Sequence, residues 1–184
     1  MGGYTVMLTG EKICLRAIEE TDLDILRNWR NRPEFKRNFR EYREISNTMQ
    51  HNWFNKIVNG DDRTIMFSIC DKETGKLLGC CGLCYINWVQ RNADLSLYIG
   101  YKNSYIDDEG IAEEACRLMF EYAFGELNLH KVWTELYEYD GMKIDFYTKK
   151  FGFKIDGVLR DNHYMDGKWW GSTMLSLLKA EFEK

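Results

Sequence analysis

One proline, Pro33, is all that 184 residues contain, and no glycine- or serine-rich stretch or internal repeat makes up for it. With no linker to divide it, a chain of this length reads as a single domain spanning residues 1–184, since domains run to roughly 100–200 residues. Histidine is almost as scarce. His51, His130 and His163 are too scattered to be read as a metal site or a nucleophile triad, so no metal is expected. Positive charge is not in excess either. There are 29 acidic against 25 basic residues, a net charge of −4, which argues against nucleic acid as the main partner. One basic run, Arg27, Arg30, Arg32, Lys36, Arg37, Arg40 and Arg43, remains as a local patch. No stretch approaches the ~18 apolar residues of a membrane helix. The first ten residues lack the basic and apolar regions of a signal peptide, and Val6 breaks the myristoylation pattern. The expectation is a cytoplasmic protein with no membrane partner. Walker loops and dinucleotide fingerprints are also missing; Gly79 and Gly82 sit in a strand-like run with no helix start after it.

What is present is apolar material, 45% of the chain, enough for a core without disulfides or metals. The six cysteines fit that picture. Cys80, Cys81 and Cys84 lie inside an apolar run, and with Cys14, Cys70 and Cys116 they show neither zinc-ligand spacing nor nearby basic partners. Buried free thiols in a reducing compartment are expected.

Periodicity then divides the chain. A strand over 12–17 is followed by a helix over 22–31, with Thr21 as N-cap, Asp24 three residues on, and Pro33 marking the end. Ser46 caps a second helix carrying Met49, Trp53 and Ile57 at four-residue spacing. Strands over 64–70, 77–86 and 93–99 read as an antiparallel meander. In the third, Ala93, Leu95, Leu97 and Ile99 alternate with Asp94, Ser96 and Tyr98. Ile111, Ala115, Leu118, Met119 and Tyr122 form a helical stripe. A strand over 131–137, a short helix over 142–150 stopped by Gly152, and a hairpin over 153–178 turning at Asp166-Gly167 complete the chain. The order is β-α-α-β-β-β-α-β-α-β-β, and the β-α-β around the long helix implies one parallel pair in an otherwise antiparallel sheet.

Three stretches carry a resemblance. Residues 140–153, DGMKIDFYTKKFGF, place Asp140 at the start of a short helix and then Tyr147, Lys149, Gly152 and Phe153. Residues 123–132, AFGELNLHKV, form a helix-to-strand passage, and Leu15-Arg16 with Trp29-Arg30-Asn31 is a looser third signature. With the element order, these resemble the GNAT N-acetyltransferase superfamily over about residues 8–179, and within it the branch that acetylates ribosomal-protein N-termini and related amines. The resemblance implies an α/β (α+β) fold, a mixed and mostly antiparallel central sheet with helices on both faces, and acetyl-CoA as co-substrate. Asp140 stands where that family usually has Asn. The family's pyrophosphate loop falls on residues 107–112, DDEGIA. There Gly110 and Ala112 are kept, but the opening Gln or Arg is Asp107.

The chemistry follows from the same resemblance. Asp94 matches the carboxylate that takes a proton from the amine, often through water; its other reading is a solvated strand residue. Tyr147 matches the tyrosine that protonates the departing thiolate. Leu97, Tyr98 and Ile99 are expected to line the acetyl and pantetheine portion through backbone groups, and Gly110, Ile111, Ala112 and Asp140 to complete the cofactor site. Free N–H groups at a helix start cradle phosphate. Five carboxylates, Asp107, Asp108, Glu109, Glu113 and Glu114, surround that start and oppose it. The acceptor, a protein N-terminus, polyamine, amino sugar or aminoglycoside, is expected near Trp29, Tyr105 and Tyr164, with His163, Trp169 and Trp170 beside them. The net negative charge leans toward a cationic acceptor, and a homodimer is the default assembly. The alternative is a family-shaped, non-catalytic binding or regulatory protein whose acidic loop has impaired CoA binding.

Overall fold

Eight strands make one sheet in this computed structural model, which describes residues 6–107 and 109–182. The N-terminal leader reading of residues 1–5 and the contribution of Asp108 to the acidic loop lie outside the described residues. In chain order the strands are β1 (Val6–Thr9), β2 (Ile13–Ala17), β3 (Ile65–Asp71), β4 (Leu77–Asn87), β5 (Asn92–Ile99), β6 (Lys131–Tyr137), β7 (Lys154–Met165) and β8 (Lys168–Leu178). They lie in the order β1-β2-β3-β4-β5-β6-β8-β7, and only β5 and β6 run parallel. The helices are α1 (Leu23–Arg30), α2 (Pro33–Lys36), α3 (Asn47–Trp53), α4 (Ile111–Glu121), α5 (Gly141–Phe151) and α6 (Lys179–Phe182).

The mixed sheet with helices on both faces matches the expectation, and its alternation sorts the core into two layers. Ile13, Leu15, Phe67, Ile69, Leu95 and Leu97 pack against α4 and α5 with Ala115, Met119 and Phe120. Met66, Cys80 and Tyr98 face the other way, under Leu23, Leu26, Trp29, Phe35 and Phe54. Five cysteines are buried and Cys84 is half-buried; burial raises every thiol, Cys84 to about 12.

Local details depart from the sequence reading in three places. Strand β1 was not foreseen, because four residues show no alternation of their own and become a strand only by pairing with β2. Thr21 does not cap α1. The chain enters through a 3-10 turn, Glu20–Asp22, and Asp22 points inward. Its carboxylate accepts from the Glu19 N–H (3.0 Å), from Arg16 (2.7 and 2.8 Å) and from the Ser68 hydroxyl (2.7 Å). Pro33 follows the end of α1 at Arg30 but also starts a short helix that was not foreseen, α2, at the first helical position, where its missing N–H costs nothing. Ser46 does cap α3, accepting from the Met49 N–H at 3.2 Å. The β7–β8 turn has Asp166 and Gly167 both at positive φ, 54° and 79°, as a two-residue hairpin requires.

Candidate active site

The β5–β6 pair is where the sheet opens. These strands are joined by the α4 crossover and run parallel, yet only Asn92, Ala93 and Asp94 pair, with Lys131, Val132 and Trp133. Past Asp94 that edge of β5 turns to other partners. The Leu95 carbonyl meets the Thr134 hydroxyl at 3.5 Å, and the Leu97 carbonyl accepts from the Lys143 ammonium at 2.6 Å. Ile99 exchanges both main-chain bonds with Tyr105, at 2.8 and 2.9 Å. The N–H and C=O of a strand residue share one edge, so the Leu97 N–H also faces the gap. Tyr98 turns its main chain toward β4, opposite Cys80.

A cleft of about 690 Å³ reaches this gap from the α1–α3 side of the sheet. Met66, Cys80 and Cys84 form its floor, and Arg30, Phe39, Arg40 and Arg63 stand on its walls. Asp94, on the polar side of β5, ends in it and is 5% exposed. Burial raises the Asp94 carboxyl to about 6, although Arg40 pulls the other way by charge and by a hydrogen bond of 2.7 Å. The desolvation of the carboxylate therefore outweighs the ion pair. Arg40 also reaches Glu135 at 3.4 Å, and Glu135 is held by the Ser172 hydroxyl (2.7 Å) and Asn162 (2.6 Å).

Beside Asp94 lies a chain of buried polar groups from α5. Asp140 caps the helix, accepting from the Lys143 N–H at 3.3 Å, and also accepts from the Tyr105 hydroxyl at 2.7 Å. Lys143, 6% exposed, donates to Leu97 and lies 3.4 Å from the Tyr105 oxygen. One turn on, Tyr147 is fully buried between Phe146 and Phe153, and its hydroxyl has no partner among the described residues. Burial keeps that hydroxyl protonated, well above its ordinary range.

At the start of α4, Gly110 takes the left-handed conformation at φ 89°, leaving the helix N-terminus open on that side. The Ile111 and Ala112 N–H groups both donate to the Asp107 carboxylate, at 2.9 and 2.6 Å. The remaining described carboxylates of the loop face elsewhere. Glu109 pairs with Lys102, Glu113 with Arg117 (3.2 Å) and Lys150 (2.9 Å), and Glu114 accepts from the Glu11 and Lys12 N–H groups. A second cavity of about 400 Å³, lined by Lys12, Lys76, Tyr101, Glu109 and Ile111, adjoins this helix start.

The sequence-derived candidates thus separate. Asp94, Leu97 and Tyr98 line the cleft; Ile99, Asp140 and Tyr147 lie behind its wall; Gly110, Ile111 and Ala112 form the helix start. Trp29, Tyr105 and Tyr164 do not line it. Trp29 packs in the core over Gly100, where a Cβ would overlap its ring. Tyr105 stands edge-on to Phe35 and Phe39 beneath the cleft. Tyr164 is exposed on β7 against Trp169, while His163 stacks on Tyr137 at 4.0 Å and Trp170 packs on Tyr139. Sequence reading missed Arg40, Glu135 and Lys143. The basic run holding Arg40 was visible, and Lys143 sits one helical turn before Tyr147, the signal that places both on one face. The other arginines of that run disperse: Arg37 pairs with Asp166, Arg43 with Glu41 and Arg27 with Asp24.

Residues 12–140 match the family described as the acetyltransferase (GNAT) domain. Along nearly its whole length the chain is similar to the uncharacterized N-acetyltransferase p20 of Bacillus licheniformis, 26% identical over 94% of this chain and 96% of that one. It is 31% identical to YdaF of Bacillus subtilis, a candidate ribosomal N-acetyltransferase, over 59% of this chain and 57% of that one. Its fold matches the crystal structure of spermidine N-acetyltransferase from Vibrio cholerae in complex with CoA and spermine. The TM-score is 0.85 at 23% identity, covering 95% of this chain and all of that one.

Proposed function

The chain belongs to the GNAT acetyltransferase family, enzymes that acetylate amines from acetyl-CoA, and we propose that its acceptor is a primary amine carrying a neutral or anionic group, as a peptide N-terminus does, with Asp94 and Tyr147 handling the protons. The observation that carries this reading is the opening of the sheet beyond Asp94, with a buried carboxylate on one side and the Leu97 N–H facing the gap on the other. The family match favours the enzyme over a non-catalytic module of the same shape.

The residues present fit acetyl-CoA. The β5 edge that β6 leaves unpaired past Asp94 offers main-chain groups to an amide-bearing arm, as sheet edges do to peptide strands. Gly110 and Ala112 leave the start of α4 approachable, and Lys12 and Lys76 line the adjoining cavity. Asp107 contests this helix start by holding the two N–H groups a phosphate would take. When bound, acetyl-CoA supplies a thioester whose carbonyl carbon accepts the amine.

Asp94, with its carboxyl near 6, is ionised at neutral pH and takes the proton the amine must lose, through water if the acceptor stops short of it. Arg40 fixes the direction of that carboxylate. The Leu97 N–H polarises the developing oxyanion. Tyr147 is a protonated hydroxyl one turn from Lys143, without a partner among the described residues and suited to give a proton to the leaving thiolate.

The acceptor class comes from the charges on the cleft. Glu41, Asp61, Asp94 and Glu135 are balanced by Arg30, Arg40, Arg63 and Lys143. Among the described residues neither Arg30 nor Arg63 has a carboxylate within ion-pair distance: Arg30 lies 4.7 Å over the Phe39 ring, and Arg63 donates its Nε–H to the Ile86 carbonyl at 3.2 Å. The lean toward cations drawn from the net charge belongs to the chain as a whole, while the side chains lining the cleft balance in charge. Release of free CoA thiol with a panel of peptides, amino sugars and polyamines tests the reading. No thiol release with any amine, together with no acetyl-CoA binding, overturns it.

A further inference from the structure

The residue that fits least well with a simple acceptor cleft is Lys143. A lysine is rarely buried without a carboxylate. Lys143 is 6% exposed, and among the described residues no carboxylate lies within ion-pair distance of its Nζ. The ammonium instead donates to the Leu97 carbonyl at 2.6 Å, in the gap between β5 and β6, and stands 4.7 Å from the centre of the Tyr105 ring. It therefore occupies the same β5 edge on which the preceding reading lays the thioester.

Resting on that reading, we propose that Lys143 is a self-acetylation site: when no acceptor fills the cleft, its Nζ attacks the thioester carbonyl carbon of bound acetyl-CoA. The Lys143 ammonium first gives one proton to water. The C–N bond then forms and the C–S bond breaks, and the second proton, lost from the amine as the amide forms, goes to the CoA thiolate, so the products are Nε-acetyl-lysine, free CoA thiol and one proton in solution, and no further reactant is needed. Two features favour the reaction. Burial lowers the Lys143 ammonium from its ordinary range, increasing the fraction of neutral, nucleophilic amine. The groups that oppose this by charge are Asp140 on α5, Cys116 on α4 and Asp94 on β5, and desolvation outweighs them. The side chain is also already at the reacting place, and held proximity raises rates far above those of a free reagent. The amide product is not activated, so the acetyl group does not pass onward. It fills the gap, and an enzyme lacking acceptor closes its own site.

The test is incubation of the purified protein with acetyl-CoA and no acceptor, followed by intact mass and peptide mapping, with acetyl-CoA binding measured in parallel by calorimetry. The expected result is one acetyl group per chain, on Lys143, forming at least about tenfold faster than on exposed Lys149. In urea-unfolded protein that preference should vanish. Lys143→Met should remove the stoichiometric acetyl group, while Lys149→Arg should leave it. Binding without acetylation of Lys143, or acetylation confined to exposed lysines, overturns the inference and leaves the proposed function standing. Absence of acetyl-CoA binding overturns both. The folded-to-unfolded comparison in the unaltered chain decides the matter even if Lys143→Met fails to fold.

Discussion

Neutralising Asp107 is the most direct test of how the α4 start meets a phosphate. Its two carboxylate oxygens take the Ile111 and Ala112 N–H groups, at 2.9 and 2.6 Å. Asp107→Asn keeps one oxygen acceptor and removes the charge. A charge at a helix N-terminus is worth ~0.3–1 kcal/mol, so the folded state should lose about that much. The effect on ligand is larger and of opposite sign. Unit charges about 5 Å apart interact by about 3 kcal/mol at an effective dielectric of about 20, an upper bound here because the loop is half-exposed. Screening over a Debye length of about 8 Å at physiological salt reduces it further. About half of that energy surviving corresponds to an acetyl-CoA affinity roughly tenfold higher in the Asn variant. Calorimetric titration at low and physiological ionic strength measures it, and the gain should shrink as salt rises. Affinity that is unchanged or weaker at both salts refutes the reasoning: Asp107 then swings clear on binding, or the phosphates bind elsewhere.

With the Asp94 carboxyl raised to about 6, kcat/KM should climb with pH through that value. Asp94→Asn should flatten the climb and lower turnover by roughly 10²–10⁴-fold, and an unaltered pH profile removes Asp94 as the base. The sign for stability is the reverse: a carboxyl raised above its unfolded value makes the fold gain stability as pH falls from about 6 toward 4, and Asp94→Asn should cancel that gain in urea titrations. Tyr147→Phe should lower turnover with acetyl-CoA affinity unchanged. Because it deletes a buried hydroxyl with no partner among the described residues, it should not destabilise the fold; unchanged turnover removes Tyr147 from the mechanism. Asp22→Ala removes the carboxylate from a buried ion pair with Arg16 and should cost about 3–5 kcal/mol in urea unfolding, whereas a loss below about 1 kcal/mol refutes the assigned weight of that pair.

What could be read from the sequence depended on periodicity. The alternation from Ala93 to Ile99 correctly placed Asp94 on the polar side of a strand, and the 3.6-residue stripe from Ile111 to Tyr122 placed the crossover that forces β5 and β6 parallel. Groups that reach the cleft from loops had no such signal. Arg40 lies between α2 and α3 in a stretch without regular structure, so its ion pair with Asp94, 54 residues away, exists only in the fold. Lys143 shares a face with Tyr147, but a lone lysine on a helix is ordinarily solvated, and only its contact with Leu97 reveals it as buried. Trp29 shows the converse: its place on the first helix suggested a position near the acceptor, and only the fold shows Gly100 making room for its ring in the core. The carboxylates of residues 107–114 were legible as a group. Their directions were not, because a side chain's choice between solvent, its own helix and a distant lysine is tertiary.

Acceptor preference is where overall charge and local charge disagree most. The chain carries a net charge of −4, which favours cations at long range. The cleft carries four basic and four acidic side chains, and Arg40 already engages two of the acids. A polyamine would have to bring its second and third ammonium groups past Arg30 and Arg63. One ammonium about 6 Å from such a guanidinium costs about 3 kcal/mol at an effective dielectric of about 20, whereas a carboxylate or peptide carbonyl there gains a partner. Peptides with an acidic residue after a small N-terminal residue should therefore exceed spermidine in kcat/KM by at least about tenfold at low salt, the gap narrowing as screening rises. Arg30→Glu should shrink or invert that ratio while leaving acetyl-CoA affinity unchanged. Spermidine preferred by the unaltered enzyme, with no response to Arg30→Glu, would mean that the acceptor does not pass these arginines at all, and that the amine enters from the opposite end of the gap.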